Sequence, residues 1–174
     1  MNIIGTMRAL DAARGAVRVE DVYDTDIDDL WEACTRPERL ARWIADVTGE
    51  LQAGGTIHAV FTSTWTGSGR IEVCDAPRHL LVTMEPGTDD ESQIEAWLSP
   101  EGARTRLVLE ERGLPLDRLS AHGAGWQAHL DDLARSLAED GTAHPEGWSE
   151  QTPAPAWHRR WGELAPTYRE MPIE

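Results

Sequence analysis

Lysine is absent from this chain: all 16 cationic residues are arginine, set against 31 Asp and Glu, for a formal net charge of −15. No basic stripe is available to neutralise phosphates, which argues against DNA, RNA or an anionic membrane as the main partner. The acidity reads most simply as a soluble, self-repelling surface, and secondarily as a face for a basic protein. Cysteine is scarce as well. Cys34 falls in a predicted helix and Cys74 in a predicted strand, neither in a C-x-x-C pair. Both read as small buried hydrophobes in a reducing cytosol rather than as disulfide partners or metal ligands. No apolar run reaches the roughly 18 residues of a membrane span, and MNIIGTMRALDAARG lacks the apolar stretch of a secretory leader. The expectation is a cytoplasmic protein. No G-x-G-x-x-G, G-x-x-x-x-G-K or G-x-S-x-G word is present, and no His pair has metal-ligand spacing. Neither a cofactor nor a metal is expected.

What is present is strand alternation followed by one well-marked helix. Gly5–Leu10 and Ala16–Tyr23 read as strands joined by Asp11–Gly15, a turn ending in glycine. Asp24 to Asp26 supply N-cap candidates for a helix through Ile27, Leu30, Trp31 and Cys34, and Pro37 opens a second, short one. From Val47 the pattern is strands again: Val47–Leu51, Thr56–Ser63, Gly67–Asp75, His79–Glu85, Glu91–Ser99 and Arg104–Arg112, with turn residues between. Short strands about every ten residues indicate an antiparallel meander. Leu114–Gly125 reads as a polar approach to a helix over Gly125–Glu139. Its stripe is Trp126, Leu130, Leu133 and Leu137; its water-facing side is Asp131, Asp132, Arg135 and Glu139; Gly141 is a candidate C-cap. Such a helix needs cover. The predicted fold is therefore α+β, a curved antiparallel sheet wrapped around this helix and enclosing a pocket. Residues 1–140 form the expected domain, and 141–174 a Pro-rich linker and an aromatic helical tail. Trp157, Trp161, Leu164 and Tyr168 give that tail a stripe, Pro166 is expected to kink or end it, and it packs on the domain or on a second subunit of a homodimer.

The order of these segments resembles the family related to the activator of the heat-shock protein ninety ATPase, within the START-like superfamily. The words that carry the resemblance are Leu30-Trp31-Glu32-Ala33, Thr35 to Trp43 (TRPERLARW), Leu51 to Gly55 (LQAGG), Gly69 to Val73 with Pro77 and Leu80, Thr105 to Leu109 (TRLVL), and Gly125-Trp126 with His129 to Leu133 (HLDDL). Together they cover about residues 16 to 139. The resemblance implies a helix-grip fold with a cavity between sheet and helix. Ile44 stands where such chains usually carry an aromatic, a departure expected to reshape the cavity mouth. A shared cavity does not by itself give a shared chemistry.

Candidate site residues follow from which faces point inward. Glu111 shares a strand face with Thr105, Leu107 and Leu109. Buried there, its pKa would rise and it would serve in proton transfer; the plainer reading is a strand-end carboxylate, half exposed or paired with an arginine. His129 lies beside the helix stripe, either as a second acid–base group or, more plainly, as a hydrogen-bonded boundary residue. Arg70 either pairs with Glu72 on the outer face or reaches inward as an anchor for an acidic ligand. Trp43, Phe61, Met84, Trp97, Leu109, Trp126 and Leu130 are the candidate apolar ligand contacts, with Trp65 a further aromatic candidate. Three classes of function are open. The leading one binds a small hydrophobic or amphipathic molecule as a carrier, sensor or accessory protein. The second is an enzyme of the polyketide cyclase or dehydratase type, in which Glu111, His129 or Arg70 moves a proton. The third, co-chaperone activity, has no support in the residues.

Overall fold

Alternation along eight segments builds a single antiparallel sheet in the computed structural model, which describes residues 1–138 and 141–174. The strands are β1 (Gly5–Ala9), β2 (Arg14–Tyr23), β3 (Ala45–Gly49), β4 (Thr56–Phe61), β5 (Thr66–Asp75), β6 (His79–Met84), β7 (Ser92–Glu101) and β8 (Arg104–Pro115). Their order is β1-β2-β8-β7-β6-β5-β4-β3. A meander thus runs from β3 to β8 and returns to pair with β2, in register Val17↔Glu111 and Val19↔Leu109. Two helices bridge β2 and β3. In α1 (Ile27–Thr35) the Asp26 side chain caps the first turn by accepting from the Asp29 N–H, and α2 (Pro37–Leu40) begins on its proline. After a 3₁₀ turn at Leu116–Arg118 comes α3 (Leu119–Ser136), and α4 (Pro155–Glu170) completes the chain. This is the helix-grip arrangement, a long helix held by a curved sheet.

The long helix differs from its sequence reading at both ends. It begins at Leu119, inside the segment expected to be an irregular approach. Ser120, His122 and two glycines give that stretch weak helix propensity. Tertiary packing supplies what propensity lacks, since Leu119, Gly123 and Ala124 are all buried. At the other end the Leu137 N–H reaches the Leu133 carbonyl and closes the helix, so Gly141 is not its cap; Gly141 lies beyond, at φ +64°. Glu139, assigned by pattern to the polar face, lies outside the described residues. Asp132 is fully buried rather than water-facing. The linker lies over this helix face: Arg135 donates to Asp132 Oδ1, and His144 Nε2, hydrogen-bonded to the Trp43 carbonyl, lies 2.9 Å from Oδ2. A buried carboxylate is tolerable only with such partners.

The tail is fastened along its length. Ala143 and Ala154 donate backbone hydrogen bonds to Arg42 and Thr62, and the Trp148 indole donates to the Val60 carbonyl. In α4, Trp157, Leu164, Ala165 and Tyr168 are buried, with the helix packed on α3. Pro166 sits on the exposed side without ending the helix. Gly123 in α3 makes this close approach possible: a Cβ there would fall 2.6 Å from the Tyr168 ring. The Tyr168 hydroxyl donates to Gln127 Oε1 at 2.6 Å, and Gln127 also holds Asn2 and Ile4 of the N-terminal segment.

A two-chamber cavity and its polar cluster

Between sheet and helices lies an outer cavity of about 740 Å³. Behind it is an inner, almost purely apolar chamber of about 100 Å³. Phe61, Met84, Ile94 and Trp126 line both and form their common wall. α3 presents His122, Trp126 and His129 to the outer cavity, at i, i+4 and i+7 on one helical face, and Arg118 joins them from the 3₁₀ turn just before it. From the far side α4 contributes Trp157 and Trp161, whose indoles donate to the Gly125 and Ala121 carbonyls. Arg14, Asp89, Asp90 and Asp117 supply further charge to the lining.

Glu111 is the centre of the polar cluster. β8 continues to Pro115, so Glu111 sits inside the strand instead of at its end, and only 7% of it is exposed. Three side chains donate to its carboxylate. Trp126 Nε1 and His122 Nδ1 reach Oε1 at 2.8 and 3.0 Å, and Ser92 Oγ reaches Oε2 at 2.9 Å. Burial alone pushes this carboxyl up, but the hydrogen bond and charge of His122, with the Trp126 and Ser92 donors, outweigh it and hold the pKa below the ordinary carboxylate value. The expected rise is therefore reversed in sign, because burial here comes with donors.

His129 has a different environment. It is enclosed by the rings of Phe61, Trp126 and Trp157, with centroids 5.3 to 6.1 Å away. Thr62 Oγ1 lies 3.4 Å from its Nδ1. Burial first, then the nearby imidazoles of His144 and His122, push it down to about 3. It is a neutral ring at ordinary pH and too weak a base to hold a proton there.

The other sequence candidates divide by face. Trp43 and Leu109 line the inner chamber, as does Ile44, which is therefore not at the mouth. Leu130 is buried in the core, where its carbonyl accepts from the Tyr23 hydroxyl, and it lines neither chamber. Arg70 and Trp97 lie outside the cavity. Arg70 is exposed and paired with Glu72, and Trp97 stacks on His79 at 5.8 Å, opposite the inward row of Ile94, Ala96 and Leu98. His122, Trp157 and Trp161 were not among the sequence candidates. The first was hidden by reading its segment as a loop, and the two tryptophans reach the cavity only because α4 folds back on α3.

The curved antiparallel sheet and the long helix it holds define a START-like helix-grip protein. A family described as "Activator of Hsp90 ATPase homolog 1-like protein" matches residues 24–138, and the chain belongs to that family. Among solved structures it is similar to CalU16 of Micromonospora echinospora, at 28% identity and a TM-score of 0.70, covering 95% of this chain and 93% of that one. A protein of Bordetella parapertussis is similar at 26% identity and a TM-score of 0.66, over 95% and 89% of the two chains. DynU16, from the dynemicin biosynthetic locus, shares the fold at 23% identity and a TM-score of 0.66, over 72% of this chain and 48% of its own. Comparison with curated proteins finds no match.

Proposed function

We propose that the chain binds one small amphipathic molecule between sheet and helix. The apolar body of the ligand packs on Phe61, Met84, Ile94 and Trp126 and enters the inner chamber, and its polar end faces Glu111 and His122. The observation that carries this reading is the buried Glu111–His122 cluster set against the apolar wall that the mixed polar and apolar outer cavity shares with the almost purely apolar inner chamber. A pocket of mostly apolar walls with a few convergent polar groups is the usual form of a small-molecule site. Both cysteines are free thiols, which suits the reducing cytoplasm to which we assign the protein. An ATPase-activating role, the activity in the family's description, needs a partner surface, and the cavity favours a small ligand instead.

Fluorescence titration with N-phenylnaphthylamine, a neutral apolar probe, tests the reading. Saturable binding at one probe per chain is expected, weakened about tenfold or more in Ile94→Trp, which fills the common wall. Circular dichroism establishes that the variant is folded. Absence of saturation in the wild type, or equal affinity in a folded Ile94→Trp, rejects it. A catalytic reading of the cyclase or dehydratase kind is the second possibility, favoured by the convergence of Glu111 with a histidine inside the cavity.

A further inference from the structure

We propose that His122 is a general base facing the cavity, that Glu111 is its positioning residue, and that together they remove a proton from a carbon acid borne by a flat apolar molecule. The inference rests on the ligand-binding reading above and adds a chemical step to it.

The hydrogen-bond pattern assigns the imidazole tautomer. An ionised carboxylate only accepts, so each neighbour of Glu111 brings a hydrogen. The Trp126 indole can only donate, and Ser92 turns its hydroxyl hydrogen to Oε2. At Oε1 the His122 Nδ1 must therefore carry hydrogen, an assignment made from its partner rather than from an observed proton. In the neutral ring that leaves the lone pair on Nε2. No hydrogen bond or ion pair occupies Nε2 among the described residues, and the side chain is 32% exposed on the cavity lining. A histidine held by a buried carboxylate through one nitrogen, with the other open to a pocket, is the arrangement of a general base.

The remaining cavity groups narrow the reaction. Ser92 is committed to Glu111 and is not set beside Nε2 as a nucleophile. His129 lies deeper among aromatic rings, joined to Thr62. Arg118, one helical turn before His122, lines the same cavity and has no ion pair among the described residues. In the step, the substrate C–H bond breaks and its proton passes to Nε2. The bonding pair stays in the substrate, and the resulting negative charge faces the Arg118 guanidinium. The imidazolium so formed is held by the Glu111 carboxylate.

Nitrobenzisoxazole is a suitable probe, being flat, neutral and apolar with one acidic ring C–H. Loss of that proton forms a nitrile, breaks the N–O bond and releases a coloured nitrophenolate, with no other reactant. The wild type is expected to show saturating turnover. His122→Gln should lower kcat about 100-fold with KM changed less than about twofold. Glu111→Gln should lower kcat about tenfold at similar KM. Nitrogen-15 NMR should find His122 protonated at Nδ1 and bare at Nε2 in the wild type, and this preference lost in Glu111→Gln. Turnover no faster than free imidazole, equal kcat in His122→Gln, or the opposite tautomer overturns the proposal. Naphthylamine binding separates the two failures. If it persists while these outcomes occur, the ligand site stands without the base; if it is absent, the ligand site itself is wrong.

Discussion

Glu111 and His129 sit within one cavity wall, and burial affects them in opposite ways. For Glu111 the cost of burial is outweighed by three donors, so it remains a carboxylate. For His129 nothing comparable offsets the cost, because its neighbours are mostly aromatic rings. This makes a stability prediction. Unfolded His129 takes up a proton near 6.5, the folded residue only at about 3. Between those values the unfolded chain binds the extra proton, so stability falls as pH falls through that window, by up to about 1.4 kcal/mol per pH unit from this group. Replacing His129 by Phe should remove that component and flatten the slope. Urea denaturation at pH steps between 6.5 and the acid limit of the native state is the measurement. A wild-type-minus-variant difference that stays constant across the window would show that His129 is not buried in its neutral form.

At the scale of elements, α3 carries two jobs on two faces. Leu130 and Leu133 are buried in the core on one side, whereas Gly123 lets α4 come close on the other. A glycine normally weakens a helix by about 1 kcal/mol relative to alanine. Here replacement by alanine should nonetheless destabilise, since its Cβ meets the Tyr168 ring. Gly123→Ala is expected to cost about 1–3 kcal/mol net. In a Tyr168→Ala background the same change should be neutral or stabilising, because the clash is gone and propensity remains. Thermal unfolding of the four proteins closes this cycle; equal effects in both backgrounds would mean that Gly123 does not set the spacing between α3 and α4.

For the molecule as a whole, the aromatic tail is both a wall of the cavity and a fastening of the core. Besides Trp157 and Tyr168, the last residue joins the sheet edge: Ala9 N–H donates to the Glu174 carbonyl, and Glu174 N–H to that of Met7. Removing Pro155–Glu174 should therefore lower stability by roughly 5 kcal/mol or more, taking about 1.5–3 kcal/mol for each large side chain buried. A detachable lid makes the contrary forecast, a folded protein with altered naphthylamine affinity. Denaturation midpoint and probe titration on the truncated chain distinguish the two.

Much of this architecture is legible in the residues. Period-two alternation and turn residues define the strands, and the row Ile94, Ala96, Leu98 already places Trp97 on the opposite side. The apolar stripe of Trp126, Leu130 and Leu133 marks the long helix, and the words around Trp31, Trp43 and Trp126 mark the family. Alternation, however, says which residues share a face and not which face is concave, and so Arg70 was assignable to either side. Nor does local pattern register the partners that segments find across the chain. Only the tertiary structure brings His122 to Glu111, His144 to Asp132, and the tryptophans of α4 to the cavity. The sequence by itself determined the fold, because hydrophobic periodicity is a local property of neighbouring residues. The tertiary structure decided the site, because a cavity and the charge states within it depend on groups far apart in the chain.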